Sequence, residues 1–282
     1  MTLQMPAERK YGWELKPVSS SYFSLETKSN DQLNVVLNHA LVRGCTSKMM
    51  LWWFQNFGNL QVRLVDVEGY EEEKVPAYFL WHPSDHIGAH YRGRLATDGT
   101  LQMGGSILVQ EALQYKTHQF AHTVNQTMTV PYLAHDGMTL NKRLPIVGNV
   151  VFGRVHFKDV VENSQVIGVH YHYEFIAGPS SGNLFTPIIR RRLQQMFSDD
   201  LFSVWHQHNV EEVGTFENFL PALYAQRHDL DNLHYEKSMN PGLSSPTTQT
   251  GFSKELFESR VSGYKSARDG YEYQDGLAPT FI

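Results

Sequence analysis

Two pairs of metal-capable side chains lie far apart in the chain but share one spacing. His82 and His86 stand four residues apart in the segment Trp81–His86, and His208 and Glu212 stand four apart more than a hundred residues later. A spacing of four places two side chains on one face of a helical turn. A divalent ion needs several convergent nitrogen and oxygen ligands. The two pairs can supply four ligands only if the chain folds so that both stretches meet.

The second pair falls within a long amphipathic pattern over the stretch Pro187–Gln226. Its apolar residues recur with the helical period, and continuing their stripe through the polar middle reaches His208 and Glu212. The stripe consists of Leu201, Val204, Trp205, Phe216, Phe219 and Leu223. A histidine and a carboxylate on a buried helix face must be paired, protonated or metal-bound, because burying them alone is costly. The pattern predicts a long helix, interrupted near residues 198–200, with a functional pair on its buried face.

Residues 60–178 have a different pattern of apolar and polar residues, which predicts antiparallel strands. Short runs of β-branched, aromatic and aliphatic residues alternate with polar residues and end at Gly, Pro, Asp or Asn. The runs are Gln61–Val67, Ala77–Trp81, Ile107–Gln114, His118–Val130, Val150–Val155 and Val166–Ala177. Residues 31–57 are interpreted as helical, with Thr46 capping a second helix. Helices followed by antiparallel strands and one long helix predict an α+β fold, in which a curved sheet wraps the C-terminal helix and leaves a cavity.

The amino-acid composition excludes several classes of protein and of metal site. The chain has 282 residues, of which 41% are apolar, so it can bury a sizeable core. Its net charge of −5 and the absence of a long basic run argue against a nucleic-acid partner. The single cysteine, Cys45, excludes a disulfide framework and a thiolate-rich metal site. No stretch approaches the ~20 apolar residues of a membrane span, and no signal core is visible, so we expect a cytoplasmic protein without a membrane partner.

Three segments are expected along the chain. Residues 1–58 are interpreted as an irregular N-terminal arm, over 1–30, followed by the helical segment. Residues 59–230 are interpreted as the metal-binding catalytic domain, and residues 231–282 as a polar, loosely ordered tail. The sequence leaves the oligomeric state open, with a homodimer as one alternative.

Four parts of the sequence together resemble the diacetylphloroglucinol hydrolase family, which includes the phloretin hydrolases. They are Thr46-Ser47-Lys48-Met49-Met50-Leu51-Trp52-Trp53-Phe54, Trp81-His82-Pro83-Ser84-Asp85-His86, the strand that carries Glu111, and His208-x-x-x-Glu212. The resemblance covers about residues 46–225. It implies a Bet v 1-like, helix-grip fold and a zinc-dependent hydrolysis of a carbon–carbon bond between an acyl group and a phenolic ring. Asp85 stands where some family members have Asn.

The resemblance also implies a set of metal ligands and substrate-contacting residues. The implied ligands are His82, His86, Glu111, His208 and Glu212. Glu111 comes from the resemblance alone, and Glu174 is a competing carboxylate. His156 and Tyr171 match substrate-contacting positions of the family.

Zinc held by histidines and carboxylates would polarise a ketone oxygen and lower the pKa of a bound water toward ~7. The ring carbon then leaves only if it is protonated or its charge is delocalised into a phenolic ring, so a small aromatic or polyketide-like ketone is the expected substrate. A general acid or base must lie within hydrogen-bond reach. The candidates for it are His156, Tyr171 and Tyr78.

Other interpretations stay open at this point. The same ligands would serve a Lewis-acid cyclase or isomerase, and a cavity lined by aromatic residues would serve a non-catalytic binder of hydrophobic ligands. Iron, manganese or cobalt fit the same donor types. Without a metal, His82 and His86 are turn histidines bonded to backbone carbonyls, and His208 and Glu212 form a buried ion pair.

Overall fold

The computed structural model describes residues 3–28, 32–71, 73–144, 148–178, 187–188, 191 and 199–239. These residues form twelve strands and three α-helices. The helices are α1 (Ser47–Asn56), α2 (Tyr115–His118) and α3 (Asp199–Ala225). The strands are β1 (Ser21–Thr27), β2 (Leu33–His39), β3 (Val42–Arg43), β4 (Gln61–Val65), β5 (Lys74–Pro76), β6 (His86–Arg92), β7 (Ser106–Ala112), β8 (Thr123–Ala134), β9 (Gly137–Leu144), β10 (Gly148–Glu162), β11 (Gln165–Ala177) and β12 (His234–Glu236).

Nine of these strands form one large antiparallel sheet. Its order is β1-β2-β11-β10-β9-β8-β7-β6, and β3 pairs with β11 beside β2. A small second sheet has the order β12-β4-β5, in which β12 runs parallel to β4. The long pairing of β10 with β11 lies in the middle of the large sheet, whereas β6 and β7 lie at one edge. The edge pair matters most for the site, because His86 begins β6 and lies opposite Glu111 in β7.

The predicted α+β, helix-grip fold class is wrong. A large curved sheet and a long C-terminal helix are present, but most of the regular secondary structure in the described residues is antiparallel sheet, and only α3 among the three helices is long. The segment predicted as a first N-terminal helix forms β2 and β3 instead. The residues with a period of two, Leu33, Val35 and Leu37, are buried there between β1 and β11. Pairing on both sides therefore outweighed the weak helical pattern at this position.

Other local predictions can be compared with the described residues. The predicted strands at 61–67, 107–114, 118–130, 150–155 and 166–177 are confirmed as β4, β7, β8, β10 and β11, with shifted ends. Thr46 caps α1 as predicted, since its side chain accepts a hydrogen bond from the backbone N–H of Met49 at 3.3 Å. The run Ala77–Trp81 is not a strand, because Ala77–Leu80 forms a buried 3₁₀ turn. Residues 21–27 of the predicted irregular arm form β1, and residues 240–282 of the predicted tail lie outside the described residues.

Helix α3 is held in the interior by aromatic packing. The Phe216 ring of α3 lies 5.3 Å from that of Trp81, 6.1 Å from that of Trp53 in α1, and 6.3 Å from that of Tyr171 in β11. Residues 208–220 are buried without interruption, so this part of the helix is surrounded on every side. Its polar side chains are consequently forced into contact with protein groups. In the described part of the chain, no helix combines the length and the hydropathy needed to cross a membrane.

Candidate metal centre

Four buried side chains from three parts of the fold converge beside α3. Glu111 lies on β7 opposite His86, and one turn of α3 separates His208 from Glu212. The exposed fraction is 8% for Glu111, 0% for His86, 1% for His208 and 6% for Glu212. One ligand atom from each lies within 4.8 Å of all the others. Three members of this cluster, His86, His208 and Glu212, therefore come from the two sequence pairs with a spacing of four. Glu111 is the fourth member.

The His86 ring is oriented so that its Nε2 atom faces the carboxylates. Its Nδ1 atom donates a hydrogen bond to the backbone carbonyl of Tyr78 at 2.9 Å, and the Tyr78 ring stacks on the imidazole at 3.9 Å. The Nε2 atom lies 3.4 Å from Oε2 of Glu212 and 3.6 Å from Oε1 of Glu111. It is buried and has no hydrogen-bond partner among the described residues. An imidazole that donates through Nδ1 presents a lone pair at Nε2, which is the arrangement of a metal ligand.

His208 repeats this arrangement with a carboxylate behind it. Its Nδ1 atom lies 2.9 Å from Oδ2 of Asp85. Its Nε2 atom lies 3.7 Å from Oε2 of both Glu111 and Glu212, and within the described residues it too is buried without a hydrogen-bond partner. A carboxylate that accepts from the far nitrogen of a ligating histidine fixes the tautomer and the direction of the ring.

Asp85 is itself held in place by backbone groups. It accepts hydrogen bonds from the N–H of Gln114 at 2.7 Å and from that of Tyr115 at 3.1 Å. Burial alone would raise the pKa of Asp85, but the neighbouring His82 and His208 and the Gln114 N–H outweigh burial and bring it below its usual range. The side chain is therefore a carboxylate that can hold the His208 ring.

The two glutamates are each tethered through one oxygen. The Tyr78 hydroxyl donates to Oε1 of Glu111, and the Asn209 side-chain amide donates to Oε1 of Glu212 at 2.7 Å. The other carboxylate oxygen of each, Oε2, faces His208 Nε2. His39 extends the network, since its Nε2 lies 3.1 Å from Oδ1 of Asn209. Both carboxylates thus keep an oxygen directed at the centre of the cluster.

The electrostatics of the cluster favour a positive charge at its centre. Burial lowers the pKa of His208, but the Asp85 hydrogen bond and the charges of Glu111 and Glu212 outweigh it and raise that pKa to about 10. Burial, with Glu111 and Asp85, raises the pKa of Glu212 to about 8 against the effect of His208. For His86, burial and the two neighbouring histidines bring the pKa well below its usual value. A protein without metal therefore holds protons where a divalent ion would replace them.

His82 lies beside the four-residue cluster. Its Nδ1 atom accepts from the backbone N–H groups of Ser84 and Asp85 at 3.3 and 3.1 Å, and its Nε2 atom lies 3.2 Å from Oε2 of Glu211. Both ring nitrogens are thus engaged with protein groups. A ligand atom of His82 does lie within 4.8 Å of those of Asp85 and His208, in a second group of potential ligands. Its ligand role stays a prediction, whereas the four-residue cluster contains the other four predicted ligands.

The three predicted acid–base residues lie in different places. Tyr78 is at the cluster through its bond to Glu111. Tyr171 is buried with its ring 5.3 Å from that of His39, and burial together with the Glu212 charge raises its pKa well above the usual value. His156 pairs with His172 in the β10–β11 register and lies on the sheet face opposite to Tyr171. The structure does not bring His156 to the cluster.

Glu174, the competing carboxylate, lies on the same sheet face as His172, two residues along β11. It faces Arg154 across the pairing of β10 with β11. It is therefore not part of either group of potential metal ligands in the described residues.

Three residues at or beside the cluster have no counterpart among the predicted site residues. Asp85 orients His208. Glu211 is only 8% exposed and accepts from Gln114 at 2.5 Å. Tyr173 lies near enough for burial and the charges of Glu212 and Glu111 to raise its pKa. A signal for Glu211 was present, because Glu211 stands seven residues after Val204 and so lies beside the apolar stripe of α3.

Comparison with known proteins yields little. No known family model matches the chain, and no curated protein matches it. Among solved structures, the protein of unknown function SA2116 from Staphylococcus aureus superposes with a TM-score of 0.37 at 8% identity, over 69% of this chain and 96% of that one. A superposition of this quality establishes neither a common fold nor a common function. The geometry itself identifies a buried cluster of histidine and carboxylate side chains that could hold a metal ion.

Proposed function

We propose that the protein is a zinc-dependent hydrolase that cleaves a carbon–carbon bond between an acyl group and a phenolic or polyketide-like ring. One observation carries the proposal. The Nε2 atoms of His86 and His208 are both buried without a hydrogen-bond partner in the described residues, while each Nδ1 is bonded to a protein oxygen. Leaving two such ring nitrogens buried and unpaired costs free energy, and a cation bound between them and the two carboxylates would satisfy all four groups.

The donor set fits zinc. His86, His208, Glu111 and Glu212 offer two nitrogens and two carboxylates, which is an established ligand combination for zinc and needs no thiolate. Iron, manganese and cobalt fit the same donors. A divalent ion held there supplies Lewis-acid chemistry, which polarises a ketone oxygen and makes water more acidic.

The protein's own groups would orient this chemistry. Asp85 keeps the His208 ring directed at the cluster, and the backbone carbonyl of Tyr78 does the same for His86. The Tyr78 hydroxyl and the Asn209 amide hold one oxygen of each glutamate, so the reacting centre is preorganised before substrate arrives. Burial of all four ligands keeps bulk water away from them.

The bond cleavage needs a proton donor for the departing ring. Water adds its hydroxyl to the acyl carbon, the bond to the ring breaks, and the ring carbon takes up a proton, giving a carboxylic acid and a deacylated ring. We assign the donation to Tyr171, a buried phenol near Glu212, which gives its proton to the ring carbon and regains one from the water that attacks. The ring carbon accepts this proton readily when hydroxyl groups on the ring stabilise its keto form.

The substrate class rests on the resemblance described above rather than on the fold. The Trp81–His86 segment, Glu111 and the His208–Glu212 pair match the family's motifs. Residues from all three meet in the described structure. The helix-grip fold that the resemblance also implied is not observed, so the assignment of the substrate class depends on the matching site motifs alone.

The test combines metal content with product analysis. Wild-type protein is purified beside H208A and E212A, with H206A as the matched control on the same helix, because His206 contacts Ser21 and Phe23 instead of the cluster. We expect about one divalent ion per wild-type and H206A chain, and loss of most of it in the other two variants while they stay folded. Wild-type protein without stoichiometric metal, even after zinc is added, would refute the proposal.

The reaction is tested with an acylated trihydroxybenzene in heavy-oxygen water. Hydrolysis places one solvent oxygen in the released carboxylic acid and leaves a deacylated ring. A rearranged product without a released acid would instead show Lewis-acid cyclisation or isomerisation. Binding without turnover of any acylphenol would indicate a non-catalytic binder.

A further inference from the structure

Arg9, far from the cluster in sequence, is buried against the turn 82–86, which carries His82 and the cluster residue His86. Residues 3–17 run along the protein without regular secondary structure, and Arg9 within them is 1% exposed. Its Nη2 atom donates to the backbone carbonyl of His82 at 2.7 Å and lies 3.4 Å from that of His86. Its own backbone N–H donates to the Pro83 carbonyl at 3.2 Å. One residue thus holds three carbonyls of the turn 82–86.

The charge of Arg9 makes this contact unusual. A second buried cation of the same segment, Lys16, has an ordinary partner, because its ammonium lies 2.6 Å from a carboxylate oxygen of Glu217 on α3. In the described part of the chain, no carboxylate lies within 4.0 Å of the Arg9 guanidinium. The guanidinium also lies 4.4 Å from the centre of the Phe79 ring. Burying an arginine without a carboxylate is costly, so the carbonyls of the turn are its main compensation.

We propose that Arg9 is a positioning residue for the metal centre. By binding the carbonyls of the first and last residues of the turn through one nitrogen, it fixes the distance between the ends of the turn. That distance determines where Asp85 meets His208 and where His86 enters β6. This inference rests on the metal site of the proposed function, and it adds a residue outside the ligand set and the acid–base groups.

The sign of the effect separates positioning from simple electrostatics. A positive charge near the cluster repels a divalent cation, so a chain in which Arg9 acted only as a charge would bind metal more tightly after Arg9→Met. A chain in which Arg9 holds the turn would bind metal more weakly after the same change. The two explanations therefore predict opposite shifts in affinity.

The experiment compares R9M with two controls from the same segment. K10M removes an exposed ion pair with Glu68, and the double variant K16M/E217Q removes the buried ion pair that ties the segment to α3. Affinity for zinc is measured by competition with a chelator, and ligand geometry is measured from the visible spectrum of the cobalt-loaded protein. The thermal midpoint of each metal-free variant is recorded separately.

We expect R9M to bind zinc about 10–100-fold more weakly, as for other residues that orient metal ligands, with an altered cobalt spectrum. K10M and K16M/E217Q should keep the wild-type affinity and spectrum, even though the second loses thermal stability. A merely structural role would predict the same result for R9M and K16M/E217Q.

R9K covers the case in which R9M does not fold. Lysine keeps the charge but lacks the planar guanidinium, so we expect a smaller loss of affinity in the same direction. The inference would be overturned if R9M bound zinc as tightly as the wild-type protein or more tightly. If R9M does not fold, the same result for R9K would overturn it. Either result would leave the proposed metal site intact. A wild-type chain that binds no divalent ion would contradict the proposed function and this inference together.

Discussion

The protein has two regions rich in histidine and carboxylate, and they differ in how the ring nitrogens are used. In the cluster beside α3, His86 and His208 are bonded through Nδ1 and leave Nε2 buried and unpaired within the described residues. On the opposite face of β10 and β11, His156 faces His172, whose Nδ1 is bonded to Asn38. Histidine density alone therefore does not identify a metal site. The informative feature is a fixed ring whose remaining nitrogen has only carboxylates in front of it.

The largest difference between the two regions should appear when one histidine is removed from each. H208A should weaken zinc binding by well over 100-fold, because changes behind a ligand already cost about 10–100-fold. H172A, its counterpart on the sheet, should leave zinc affinity unchanged. Chelator competition measures both. Equal losses in the two variants would remove the distinction between the regions.

The stability of the metal-free protein should depend on pH differently from that of the zinc-loaded protein. The folded-state pKa values of about 10 for His208 and about 8 for Glu212 lie above their unfolded values of 6.5 and 4.5. A group with a raised folded pKa stabilises the fold below its unfolded pKa, and this contribution disappears as pH rises through the folded value. His86 and His39, whose pKa values are lowered, are neutral in both states above pH 6.5 and add nothing there.

The metal-free protein should accordingly lose stability between about pH 6.5 and pH 10. One pKa unit corresponds to about 1.4 kcal/mol, so the combined loss should amount to a few kcal/mol. Saturating zinc should flatten the decline, because binding to the folded state replaces the protons and adds stability. Denaturant unfolding at a series of pH values measures this, and a metal-free curve that stays level over that range would contradict the electrostatic description of the cluster.

A substitution at Asp85 should have a smaller effect on zinc affinity, and it tests the orientation of the His208 ring alone. D85N leaves all four cluster residues in place but replaces the carboxylate behind His208 with a neutral amide. We expect zinc affinity to fall about 10-fold, at the lower end for such changes. E174Q is the matched change on the opposite sheet face and should not alter it. An unchanged affinity in D85N would mean that α3 alone orients His208.

Much of the cluster was predictable because its signals are local. His208 and Glu212 lie on one helix whose periodicity is visible in the sequence, and His86 belongs to a short motif. Glu111 was implied only by resemblance, since a single carboxylate in an apolar run carries no spacing signal. Arg9 could not be inferred, because its contact with residues more than seventy positions away depends on how an irregular segment packs.

The errors in the fold have a similar cause. The segment 33–43 has residues compatible with both a helical and a two-residue period, and only its neighbours β1 and β11 decide between them. The run Ala77–Leu80 has the composition of a strand, yet it is a buried turn whose Tyr78 carbonyl accepts from His86. Where tertiary partners satisfy the backbone, local propensity gives the wrong element.

The smallest effect should come from Tyr78→Phe, which removes a single hydroxyl from the cluster. The ring should still stack on His86, so the fold and the His86 orientation should persist. Glu111 then keeps a buried oxygen without its donor and becomes freer to rotate, which should cost about 1–3 kcal/mol of stability and weaken zinc binding by a few-fold at most. Y224F is the control, because Tyr224 packs against Trp52 and Arg227 away from the cluster. A loss of zinc in Y78F as large as that in H208A would mean that the hydroxyl, and not the stacked ring, is what keeps Glu111 and His86 in place.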